Sequence, residues 1–105
     1  MSQFTVYKNN NPKMRKTYPY LLDIQSDLLG QLRTTIVIPL GKYAAVKNQV
    51  ITKLCPVVEI DGVEYVALTQ QLAGIDRTLL GAEVASISDY RSEFIGAIDL
   101  IVSGI

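Results

Sequence analysis

Few side chains in this sequence could do chemistry, and their scarcity already narrows the function. Histidine is absent and Cys55 is the one cysteine. Ser-His-Asp and Cys-His catalysis need an imidazole to move a proton, so both are excluded. A zinc site that needs imidazole goes with them, and one thiol cannot build a multi-cysteine metal site. Cys55 cannot form an internal disulfide, which fits a reducing compartment. The remaining constellation is a carboxylate pair, Glu59 and Glu64, flanking Asp61-Gly62. Paired carboxylates can serve acid/base or metal chemistry. No histidine follows, and no further acid follows Glu64 before Asp76, so two glutamates on a solvated face is the stronger account. There is no GxxxxGK[ST] phosphate loop, GxGxxG, HExxH or GxSxG. No run interleaves the six tyrosines with basic residues as a nucleic-acid platform would, Tyr18 and Tyr20 near Lys16 coming closest. The residues describe a binding module without catalytic group, metal or cofactor.

The elements that must position such a surface are short. The 105 residues, about half of them apolar, suit one domain (1–105) with a single core. Gln3–Lys8 alternates like a half-buried strand, Phe4 and Val6 facing one way, Thr5 and Tyr7 the other. Asn9-Asn10-Asn11-Pro12 breaks it into an exposed loop. Tyr18–Gln25 and Arg33–Leu40 are the next strands, with Pro39 expected at a strand end, an edge or a bulge. Leu28 and Leu29 fall in a short turn between them, either capping the core or making a surface contact. Gly41–Lys53 could start a helical turn at Tyr43 but carries no full helical period. Asp61-Gly62 between two β-rich runs predicts a tight hairpin, with Ile60 facing Val63, Val58 facing Tyr65 and Glu59 facing Glu64. Thr69–Thr78 reads as a loop and Leu79–Gly81 as a short final strand. From Ser86 onward the pattern is helical: Val84, Ile87, Tyr90, Phe94, Ala97, Ile98 and Ile101 recur every three or four residues. Ser86 and Asp89 resemble a capping box, Gly96 suggests close packing, and Gly104 is a helix terminator. The expected class is α+β, an antiparallel β sheet or small open barrel with a β-hairpin and a single C-terminal α-helix laid against it.

The net charge of zero hides an asymmetry. Residues 1–53 hold eight basic and two acidic groups, a net +6; residues 54–105 hold two basic and eight acidic, a net −6. Either the halves intermix into an ordinary surface, or the 8–16 loop and the 42–53 segment form a basic face suited to an acidic partner. The N-terminus lacks the basic-then-apolar layout of a signal peptide, and apolar runs stop at four or five residues, so a soluble cytoplasmic protein without membrane contact is expected.

Several segments, in this order and spacing, resemble one family. They are Gln3–Tyr7 (QFTVY), Asp23–Leu29 (DIQSDLL), Val37–Leu40 (VIPL), Leu54–Ile60 (LCPVVEI), Ala97–Leu100 (AIDL) and Gly104-Ile105. Together they are similar to the CcdB toxins of type II toxin–antitoxin modules. The resemblance implies an SH3-like antiparallel β barrel with one long C-terminal α-helix, working as a non-enzymatic homodimer that binds the DNA gyrase A subunit and traps the enzyme on cleaved DNA. It implies a CcdA-type antitoxin whose disordered C-terminal segment neutralises the toxin, and operator DNA met only through that complex. By the same resemblance Leu28, Leu29, Asp99, Val102, Ser103, Gly104 and Ile105 match gyrase-contacting positions. The helix end is then a recognition tip whose free carboxylate can enter a partner's cavity. Ser103 stands where the best-known members carry tryptophan, and Val102 where some carry a bulkier aromatic. Lys8, Lys13, Arg15 and Lys16, in the loop after the first strand, match the antitoxin-binding surface. Two alternatives stand beside this: an endoribonuclease of the related MazF/Kid fold, for which only Arg33, Arg77 or Arg91 with an acid such as Asp27 are on offer, and a decayed toxin that binds antitoxin without poisoning gyrase.

Overall fold

In a computed structural model, residues 3–104 are described. Seven strands form one antiparallel sheet: β1 (Thr5–Asn9), β2 (Tyr20–Asp23), β3 (Thr34–Lys42), β4 (Val57–Ile60), β5 (Val63–Ala67), β6 (Ala73–Asp76) and β7 (Leu80–Ser86). Their order is β4-β5-β3-β2-β1-β7, with β6 paired to β3, and the sheet curls into a half-barrel. A single-turn helix α1 (Tyr43–Val46) follows β3, and α2 (Arg91–Ser103) closes the described chain. The α+β expectation, with hairpin and C-terminal helix, is borne out.

The hairpin forms for a local reason. Asp61 and Gly62 take φ of 52° and 79°, the pair of positive values that a two-residue turn matched to strand twist requires. The register is the expected one, Ile60 on Val63, Glu59 on Glu64 and Val58 on Tyr65.

Pro39 departs from expectation, because it sits inside a central strand opposite Leu21. The reason is a seam. One side of β3 pairs with β6 over Thr34–Val37 and with β5 over Leu40–Lys42. Pro39 falls between the two, its carbonyl accepting from Leu68 N at 3.0 Å, so its missing N–H costs no ladder bond.

The main core lies between the sheet and α2. Phe94 and Ala97 are fully buried, and the Phe94 ring stacks on Phe4 with centroids 6.1 Å apart. Phe4 adopts a φ of 63°, a backbone cost of about 1 kcal/mol or more. Two backbone bonds hold it there, Phe4 N to Asp23 O at 2.7 Å and Ile87 N to Phe4 O at 2.9 Å. Burying its ring returns about 2–3 kcal/mol. A second cluster, Tyr18, Val46, Cys55, Val66 and Leu68, ties the β1–β2 loop and α1 to the sheet. Gly41 permits that approach: a Cβ there would stand 2.8 Å from Val46 Cγ1 and 3.2 Å from Thr17 O.

Other expectations are corrected. Thr5 and Tyr7 are buried along with Phe4 and Val6, so β1 is covered on both faces up to Lys8. The 69–78 stretch is no mere loop: β6 fills the edge of β3 that β5 leaves free, and Ala73-Gly74 are too small to announce a strand. Of Leu79–Gly81, Leu79 ends a 3₁₀ turn and Leu80-Gly81 only begin β7, which runs on to Ser86 and pairs there with Thr5. The helix therefore starts at Arg91, after a 3₁₀ turn at Ser88–Tyr90, and the Ser86/Asp89 capping box does not form. The apolar stripe misled because Val84, Ile87 and Tyr90 keep helical spacing across a strand and a turn. Gly96 has open space around it rather than a close neighbour.

Candidate functional site

The β2–β3 connection presents leucines on a polar frame. Ser26 caps the 3₁₀ turn Asp27–Leu29, its Oγ accepting from Leu28 N at 3.2 Å. Asp27 Oδ1 accepts from Gln3 N at 2.7 Å, and Gln3 Nε2 donates to Ile24 O at 3.0 Å. Gln25 Nε2 donates to Leu29 O at 3.3 Å and to Thr34 O at 3.2 Å. With the backbone so held, Leu28 is 94% exposed, Leu29 48% and Leu32 49%. The turn is thus a surface feature, and its leucines do not cap the core.

The end of α2 is likewise uncovered. Asp99, Ser103 and Gly104 are exposed and Val102 is 79% exposed. Ser103 Oγ donates back to Asp99 O at 2.6 Å, so it projects no group beyond the helix. Gly104 terminates the helix as expected, with φ 73° and its N–H on Leu100 O at 2.9 Å. Ile105 lies outside the described residues.

The leucine turn lies near the start of α2, since Arg91 Nη1 donates to Gln3 Oε1 at 3.2 Å, and the tip is the other end of that 13-residue helix. Its later residues Gly96 and Leu100 line a groove of about 580 Å³ with Lys53 and Pro56. Pro56 O accepts from Ala67 N, and Ala67 pairs with Leu40. The turn precedes Thr34, at the other end of β3 from Leu40.

The basic loop is more ordered than its asparagines imply. Asn9 Oδ1 accepts from Asn11 N at 2.9 Å, Asn11 Oδ1 from Lys13 N at 3.0 Å, and Asn9 Nδ2 donates to Tyr18 O at 2.9 Å. Arg15 N and Tyr18 N close helical turns onto Asn11 O and Met14 O. Lys8, Lys13, Arg15 and Lys16 are all exposed and, among the described residues, make no ion pair. Tyr18 and Val46 share a buried cluster and Gly41 stands against Thr17, so the end of this loop adjoins the segment carrying Lys42 and Lys47. Hairpin Glu64 approaches from the other side, lining a shallow groove with Lys42 and Tyr43.

Glu59 and Glu64 are exposed, and among the described residues no group of three His, Cys, Asp or Glu side chains could hold a metal ion. Two pKa shifts bear on packing. Asp76 is held below the ordinary carboxylate value by the Thr78 backbone N–H and hydroxyl, then by Arg33 at 3.7 Å. Burial, then the neighbouring Tyr20 hydroxyl, pushes Tyr65 up. Sequence reasoning missed Gln3, Leu32, Arg77 and Arg91 as parts of the leucine turn. Their bonds span 21 to 88 residues of chain, and no local pattern announces them. No helix among the described residues is long and apolar enough to cross a membrane.

An exposed apolar turn, an exposed helix tip and an exposed basic loop thus stand on one curled sheet. The family model described as CcdB protein matches residues 3–104, so the chain belongs to the CcdB family, the toxins of toxin–antitoxin modules.

Proposed function

We propose that this toxin binds the DNA gyrase A subunit and traps the gyrase–DNA cleavage complex, without enzymatic activity of its own. The observation that carries this reading is the exposure of apolar side chains at both matched positions, Leu28-Leu29 in the turn and Val102 on the helix tip. Exposed leucines on a rigid frame serve as anchors for a partner's pocket. Asp99, Ser103, Gly104 and Ile105 complete the contact. The toxin acts as a homodimer, so each tip has a symmetry mate. A CcdA-type antitoxin neutralises it. Lys8, Lys13, Arg15 and Lys16 attract the antitoxin's acidic tail, and operator DNA is reached only through that complex. One observation favours a second reading, a decayed toxin that keeps its antitoxin but not its poison: Ser103 turns back onto Asp99 O and offers no ring to a partner.

Titrating a gyrase A fragment with the full chain and with a chain lacking residues 104–105 tests the proposal. Binding that is lost on truncation supports it. An absence of gyrase binding by a dimer that still captures its antitoxin favours the decayed toxin.

A further inference from the structure

The segment that carries the exposed leucines has no strand or long helix of its own, yet side chains from distant parts of the chain fix it. The main clamp is Arg77, half-buried after β6. Its Nε donates to Leu32 O at 2.6 Å and its Nη2 to Leu29 O at 3.2 Å. Its own N–H donates to Arg33 O at 2.9 Å. One guanidinium therefore binds the carbonyls at both ends of Leu29–Leu32, across more than 40 residues of chain. A planar fork can make two such bonds at once, whereas an ammonium is a point charge that holds one geometry poorly. With the carbonyls turned toward Arg77, the side chains of Leu28, Leu29 and Leu32 are left in solvent. A loose segment would be ordered only on binding, at a cost in affinity.

We infer that Arg77 is a positioning residue for the gyrase contact: it pre-forms the Leu28–Leu32 knob and does not itself touch the partner. The inference rests on the reading of Leu28 and Leu29 as gyrase-contacting. The test is a double-mutant cycle on gyrase A binding with Arg77→Gln, Leu28→Ala/Leu29→Ala and their combination, with Arg77→Lys as partial rescue. Arg77→Gln should weaken binding about tenfold, Arg77→Lys less, and Arg77→Gln should add nothing once both leucines are alanine. Amide exchange should speed up at Leu29, Gly30 and Leu32 in Arg77→Gln while Leu22 and Ile38 keep their protection. Wild-type binding by Arg77→Gln overturns the inference. So does an equal loss in both backgrounds, which is the mark of direct contact or general unfolding. Unchanged binding by the double-alanine chain overturns the gyrase reading of the turn and the functional half of the inference, and the exchange data then report separately whether Arg77 holds the turn.

Discussion

The two ends of β3 present opposite kinds of surface. At the Thr34 end the chain exposes leucines whose backbone is bound by Gln25, Ser26 and Arg77. At the Lys42 end it exposes cations that make no ion pair among the described residues, on a loop held by Asn9 and Asn11. The first end spends its polar groups on order and leaves apolar area for a partner. The second uses neutral amides for order and leaves its charges free. Apolar anchors act mainly on how long a complex lasts, and exposed charge mainly on how fast it forms. The proposed division of labour, gyrase at the leucines and antitoxin at the cations, follows from that difference.

Four changes break or sharpen the contrast. Phe94→Ala removes the largest fully buried side chain of the main core and should cost about 3–5 kcal/mol in denaturant unfolding, taking both binding activities with it. Leu28→Asp should lower gyrase A affinity by about a hundredfold, since anchors of this kind carry about 2–4 kcal/mol. Its melting temperature should stay close to wild type, because the side chain is 94% exposed. Lys13→Glu with Arg15→Glu should slow antitoxin association about tenfold at low salt and leave gyrase binding alone; an unchanged association rate would remove charge steering from the account. The smallest effect is at Asp76. Its folded pKa is depressed, so its contribution to stability is present above the ordinary carboxylate range and fades as pH falls through the lower folded value. Acidification below about pH 4 should then free the Thr78 amide, read as exchange corrected for the intrinsic rate, before the Leu28 end loosens.

Legibility in the sequence followed locality. The Asp61-Gly62 hairpin was readable to the register because two adjacent residues set the turn and alternation sets the pairing. The basic loop was readable as exposed, but its union with the 42–53 segment rests on Gly41 and Val46 packing against Thr17 and Tyr18, which no local pattern encodes. β6 was invisible because its place is defined by the edge β5 leaves on β3, and Gly74 opposite Ile36 carries no strand signal. The start of α2 was misplaced because Val84 and Ile87 face the same core from a strand and a turn. At the candidate site, Leu28 and Leu29 were legible through resemblance, whereas the clamp from Arg77 is a tertiary contact across 45 and 48 residues.

The central claim is that the exposed leucines and the helix tip serve one target. The most direct measurement is DNA cleavage by purified gyrase in the presence of the wild-type chain, Leu28→Asp and a chain lacking residues 104–105. The account predicts linear DNA with wild type and its loss with either variant, each still folded and still bound by antitoxin. Linear DNA undiminished by Leu28→Asp, or none with the wild-type chain, would contradict it.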